Sequence, residues 1–260
     1  MKRPCKWSVL AVTGAVGFVI CILLLVLVTG MRGKEEIPNI VEPSPQDTVE
    51  VPAVTPVTPE PKPVVEVPVD FEEWQARNED IYAWIQLPGT VVDYPVLQRF
   101  GDEGYYLRRD VDGANSIAGS LFTEYCYNGV TFQDPVTVIY GHDMKNGSMF
   151  GSLQTYFTPL TLDESSVFFI YQPDRKLTYQ VFAAVPYNNR HLLYGRNFWE
   201  EKTYQSFFEE ISEIRSLQAN LNAEAFPEYG DRVVILSTCL KGDNTRRYLV
   251  MGVLIEDTAS

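Results

Sequence analysis

Basic residues are scarce in this 260-residue chain: 21 Lys and Arg stand against 34 Asp and Glu, a formal net charge of −13. That balance argues against a nucleic-acid binder, which presents a basic face to phosphate. Histidine is almost missing, with two residues, so a His-rich metal cage is excluded. Four cysteines are too few to build a disulfide scaffold. No internal repeat is evident. Charge is absent altogether from Trp7 to Gly30. What the chain does have is apolar material, 45% of its residues, enough for a real core. At about 100–200 residues per domain, the length allows one or two domains.

Charge and proline divide the chain into three regions. The uncharged stretch 7–30 matches the ~20 helical residues that cross the ~30 Å hydrocarbon core of a bilayer. A cleaved secretory signal has a shorter apolar run, ~7–15 residues, and ends in a small-residue motif. Here the apolar run passes straight into Thr29-Gly30-Met31-Arg32. The expectation is an uncleaved transmembrane signal anchor at 7–30. Lys2, Arg3 and Lys6 precede it, so the positive-inside rule puts residues 1–6 in the cytoplasm and everything after the span outside. Residues 31–69 hold nine of the 17 prolines, interleaved with Val, Thr and Glu. Such a stretch favours extended polyproline conformation, and it reads as an extracellular linker that holds a domain away from a surface.

Residues 70–260 read as one folded domain. It opens with FEEWQARNEDIYAWI, which predicts two short helices broken at Asn78-Glu79-Asp80. Then come short β-branched and aromatic runs: 91–97, 120–126, 136–140, 167–171, 177–185, 233–238 and 248–255. Turn pairs such as Pro88-Gly89, Asn128-Gly129 and Gly242-Asp243 separate them, the pattern of a β-sandwich or barrel. Two helices interrupt the strands, at 148–157 and 197–217. In the second, Tyr204, Phe207, Phe208, Ile211 and Ile214 recur at helical spacing, a core-facing stripe.

Cys5 lies before the apolar segment and Cys21 within it, so only Cys126 and Cys239 follow it. They are read either as a disulfide, as two buried small hydrophobes, or as one reactive thiol. Cys239 ends the run VVILST, and a strand end facing a loop is a common place for a nucleophile. A thiol has a pKa near 8.5 and needs a cation or base beside it. His142 follows PVTVIY and Gly141 at another strand exit, while His191 lies in a polar loop. Gly141 would let the backbone turn and expose the imidazole. Arg246-Arg247 opens the strand YLVMGVLI directly after the Cys239 loop. A hairpin there would bring a guanidinium to the thiol, where it donates several hydrogen bonds and stabilises an oxyanion. Otherwise it forms a surface ion pair with Asp243, worth little.

The segments VILSTC with RRYLV, and VIYGHDM followed by GSMFGSL, resemble the catalytic segments of sortases, the cysteine transpeptidases of Gram-positive cell surfaces. IYAWIQLPGTVVDYPVLQ, YYLRRDVDGANSIAGSLF and the helix before the cysteine strand resemble class B, over most of residues 72–256. The resemblance implies a mainly β fold, an eight-stranded barrel with N-terminal helices and one long inserted helix, preceded by the transmembrane helix. It implies that Cys239 attacks a Thr carbonyl in a sorting motif near the C-terminus of a secreted surface protein. His142 then protonates the leaving amine and Arg247 steadies the oxyanion, with Arg246 as its runner-up. The thioester passes to an amine of a peptidoglycan precursor or a pilin. Ser237 and Thr238 are the implied substrate contacts. No metal or other cofactor is implied. An endopeptidase without transfer and a non-catalytic surface binding module are the alternatives. Leu87-Pro88-Gly89-Thr90 resembles the start of a sorting signal, but reads more simply as a turn between helix and strand.

Overall fold

The computed structural model describes residues 66–259; the expected anchor at 7–30 and most of the linker lie outside the described residues. Nine strands form one sheet: β1 (Ile81–Gln86), β2 (Asp93–Leu97), β3 (Leu121–Phe122), β4 (Val136–Tyr140), β5 (Val167–Gln172), β6 (Arg175–Tyr187), β7 (Asn220–Leu221), β8 (Val233–Leu240) and β9 (Asp243–Ala259). The order is β5-β1-β2-β3-β4-β8-β9-β6-β7, and β5 also pairs with β6. That last pairing closes eight of the strands into a barrel, with β7 appended to β6. Closure leaves those eight strands no free edge. The helices are α1 (Phe71–Arg77), α2 (Leu153–Phe157) and α3 (Glu201–Ser212), with a 3₁₀ turn at Tyr105–Arg108 and another at Ala223–Ala225. Among the described residues no helix is long and apolar enough to cross a membrane.

The wall carries apolar residues on both sides. Val234, Leu236, Tyr248 and Val250 share one cluster inside the barrel with Ile85, Leu177, Tyr179 and Phe168. The alternate residues Val233, Ile235, Leu249 and Met251 face outwards and meet Tyr204, Phe207, Phe208 and Ile211 of α3. A strand covered on both faces needs an unbroken apolar run, which is why VVIL and YLVM show no alternation.

One expectation fails at the start. Ile81–Gln86 is a strand, not a second helix: it pairs with β2 on one side and β5 on the other. Asn78 ends α1, its N–H bonding Trp74 O and its side chain bonding Tyr106 and the Val111 carbonyl. Beyond it Ala83 and Ile85 point inwards, while Trp84 faces outwards, where its ring meets Trp74 at 5.1 Å. The apolar residues that suggested a helical face therefore belong to two elements. The 87–90 segment is a turn, as expected, but between two strands; Thr90 N bonds Leu87 O and Gly89 has φ +79°. The helices expected at 148–157 and 197–217 are shorter, five and 12 residues.

Candidate active site

Three strands meet on one rung. Cys239 of β8 lies opposite Arg247 of β9, and Arg247 lies opposite Tyr187, the last residue of β6. On the other side of β8, parallel β4 ends with Tyr140 level with Ser237. Gly141 N then donates to Ser237 O at 3.1 Å, so the chains are still side by side as His142 is reached. Neighbouring strands run about 4.8 Å apart, which brings the His142 exit alongside Cys239.

Alternation decides which way each side chain points. Cys239 and Arg247 share the outer face with Ser237, Leu249 and Ile235. Tyr140 also lies on that side. Thr238 is opposite Tyr248, whose ring is in the interior cluster. The thiol is half-buried and not engaged in a disulfide, and the same holds for Cys126, so the disulfide alternative is excluded.

The sulfur's polar contact is the guanidinium: Arg247 Nη1 lies 3.6 Å from Cys239 Sγ. The same nitrogen donates to the Asn244 and Arg246 carbonyls, both at 3.2 Å, which fixes the fork over the hairpin. No ion pair with Asp243 is present; that carboxylate accepts from Thr245 and is held below its ordinary range by those bonds. The adjacent Arg246 is exposed.

The imidazole of His142 is oriented from behind, its Nε2 bonded to the Leu107 carbonyl at 2.7 Å. A carbonyl accepts, so Nε2 carries a proton and Nδ1 is the nitrogen free to exchange one. The loop that carries it is tied down at both ends. Phe150 N donates to His142 O, and Asp143 pairs with Met149, which sits at φ +53°. Gly141 is not among the glycines with positive φ. It is required by space: a Cβ there would run into Leu121 and the Phe150 ring. Asp143 is pushed up by burial, partly offset by the charge of Lys241.

The other residues fall outside this group or behind it. Ser237 is buried on the outer face, two residues before the thiol on the same strand. Thr238 is buried like Ser237 but lies opposite Tyr248, on the interior side of the wall. His191 binds Glu124 instead, with Nε2 at 3.0 Å from Oε2. Among the described residues no cluster of three or more His, Cys, Asp or Glu stands together as a metal site. Two members of the site had no signature in the sequence. The Leu107 carbonyl is a main-chain group, and Tyr140 looks like any strand aromatic until the register puts it beside Ser237.

No family model matches the chain. Among solved structures, sortase B of B. anthracis is 30% identical, with a TM-score of 0.59 over 72% of this chain and 84% of that one. The chain belongs to the class B sortases. It is thus a cysteine transpeptidase, and its closed eight-stranded barrel is the sortase barrel. Sortase B of Listeria monocytogenes is 28% identical over 192 residues, 73% of this chain and 76% of the relative. The structure of Staphylococcus aureus sortase B with its substrate is 27% identical, with a TM-score of 0.59, covering 72% of this chain and 84% of that one.

Proposed function

We propose that this sortase cleaves a sorting motif of surface proteins through a Cys239 thioester and transfers the acyl group to an amine. The Cys239 thiol passes its proton to Nδ1 of His142, and the sulfur attacks the carbonyl of the motif's Thr. The oxygen becomes negative in the tetrahedral intermediate, and the Arg247 fork donates to it. His142 gives its proton to the departing amine, and the thioester forms as the C–N bond breaks. An incoming amine, from a cell-wall precursor or a pilin, attacks the thioester; His142 takes its proton, an amide forms and the thiolate is released. Splitting one amide exchange into two steps keeps the acyl group activated between them.

The observation that carries this reading is the rung: a guanidinium at 3.6 Å from a half-buried thiol, with a histidine leaving the neighbouring strand alongside. Ser237 is proposed to meet the substrate from the same face. Thr238, on the opposite side of the strand, is the second proposed contact. The S. aureus relative solved as a substrate complex supports a substrate-binding role. We also propose that residues 7–30 anchor the chain in the cell membrane with the N-terminus cytoplasmic, and that the linker carries the catalytic domain outside the cell, where such substrates and acceptors meet.

The test is a library of peptides with a single central Thr, incubated with a soluble fragment beginning at residue 66, with and without an added amine such as triglycine. Cleavage after Thr, with amine-ligated product exceeding free acid, is the expected outcome. Cys239→Ala abolishes both products and Cys126→Ala abolishes neither. Free acid alone in the presence of amine would convert the reading to an endopeptidase; cleavage that survives Cys239→Ala would remove it.

A further inference from the structure

The loop that follows β6 begins on the catalytic rung, because Tyr187 is opposite Arg247 and Arg247 is opposite Cys239. What shapes this loop is its one histidine. The Nδ1 of His191 accepts two backbone N–H groups, from Leu193 at 3.2 Å and Tyr194 at 3.0 Å. With Nδ1 accepting, the ring proton must sit on Nε2. That nitrogen points out of the loop to Glu124, 3.2 Å from Oε1 and 3.0 Å from Oε2. The ring also lies against Tyr127 at 4.8 Å and near Tyr140 at 6.4 Å. Arg196 Nη1 secures the His191 carbonyl.

Glu124 belongs to the turn after β3, a different part of the chain. Its carboxylate is mostly covered, with 17% of the side chain exposed. Tyr140 feels the charge of both Glu124 and the catalytic guanidinium. Burial holds the Tyr140 phenol well above its ordinary range, the negative charge of Glu124 pushes the same way, and the positive charge of Arg247 pulls back. His191 thus joins the loop to Glu124, and its ring lies near Tyr140, which is level with Ser237 on the cysteine strand.

We propose that His191 and Glu124 are positioning residues for substrate binding, which together fix the 188–197 loop as a preformed wall beside Cys239. The inference rests on the transpeptidase reading above. Neither residue touches the reacting atoms. Their contribution is to order the loop in advance, so that a peptide does not have to order it on binding. A pair that acts only by joining two segments is lost once, whichever partner is removed.

The test uses the library peptide with the highest turnover and measures kcat and KM separately. His191→Ala and Glu124→Ala are each expected to raise KM about fivefold with kcat little changed, the size of one net hydrogen bond. The double variant is expected to be no worse than His191→Ala. Glu124→Gln keeps an oxygen for the Nε2 proton and recovers part of the loss. Melting temperature is followed in every variant, since a loss of folding alone lowers active enzyme without raising KM. A KM within about 1.5-fold of wild type in both alanine variants overturns the proposal, as do effects that multiply in the double variant. If the wild-type protein cleaves no library peptide, the transpeptidase reading itself has failed, and that is seen before any loop variant is made.

Discussion

Replacing Arg247 by lysine keeps the positive charge and removes the fork, so it separates charge from geometry. In the structure the planar guanidinium is held by two main-chain carbonyls at 3.2 Å while the same nitrogen reaches Sγ at 3.6 Å. An ammonium on a flexible stem has no such preset direction. The donor aimed at the developing oxyanion would be lost while the local potential stays positive. Removal of one preorganised oxyanion donor costs about 10²–10³ in kcat, or about 2.7–4 kcal/mol of barrier. We expect Arg247→Lys to fall in that range with KM changed by less than about threefold, since the interaction is made in the transition state and not in the ground state. Arg247→Gln, which removes charge as well, falls at least as far. The assay is steady-state cleavage of the preferred library peptide by mass-resolved chromatography, with active sites counted by thiol alkylation. A kcat for Arg247→Lys within threefold of wild type would refute the reasoning, because charge alone would then suffice. Arg246→Ala serves as the control and is expected to retain most activity, its side chain being exposed.

Three other outcomes follow from the packing. Gly141→Ala drives a methyl group into Leu121 and Phe150; since Phe150 N holds the His142 carbonyl, kcat falls at least tenfold and stability drops by about 1–3 kcal/mol in urea titration. Asp257 accepts from Arg175 through both oxygens and from Arg232, which lowers its carboxyl to about 2. Its stabilising contribution is therefore complete above the unfolded carboxyl range near pH 4 and lost as pH falls through about 2; after discounting for partial exposure, Asp257→Asn costs about 1 kcal/mol at pH 7 and only a small part of that at pH 2, read from urea midpoints at the two pH values. Tyr179→Phe removes an interior hydroxyl that is buried without a hydrogen-bond partner, so it leaves stability unchanged or raises it by up to about 1 kcal/mol in the same titration.

Much of the barrel was legible in advance because its strands carry local signals. The runs at 136–140, 167–171 and 233–238 are short, β-branched and bounded by turns, and they are strands β4, β5 and β8. The aromatic stripe of α3 was legible for the same reason, since its period is a property of neighbouring residues and not of the fold. Ile81–Gln86 was not, because Trp74 and Trp84 are both apolar whether they share a helix face or stack from two elements. The helix boundaries were drawn too wide because Glu200 and Glu213, which flank α3, are as polar as its outer face.

By itself the amino-acid order determined the chemical types at the site: a thiol ending one apolar run, an imidazole ending another, and a guanidinium opening a third. Their common rung was decided only by the tertiary structure, through the parallel pairing of β4 with β8 and the hairpin of β8 with β9. Pairing partners far apart in the chain are chosen by burial on both faces of the wall, which no local pattern encodes. The same pairing turned Thr238 inwards and Ser237 outwards, a distinction between adjacent residues that arises only once a strand has an inside and an outside.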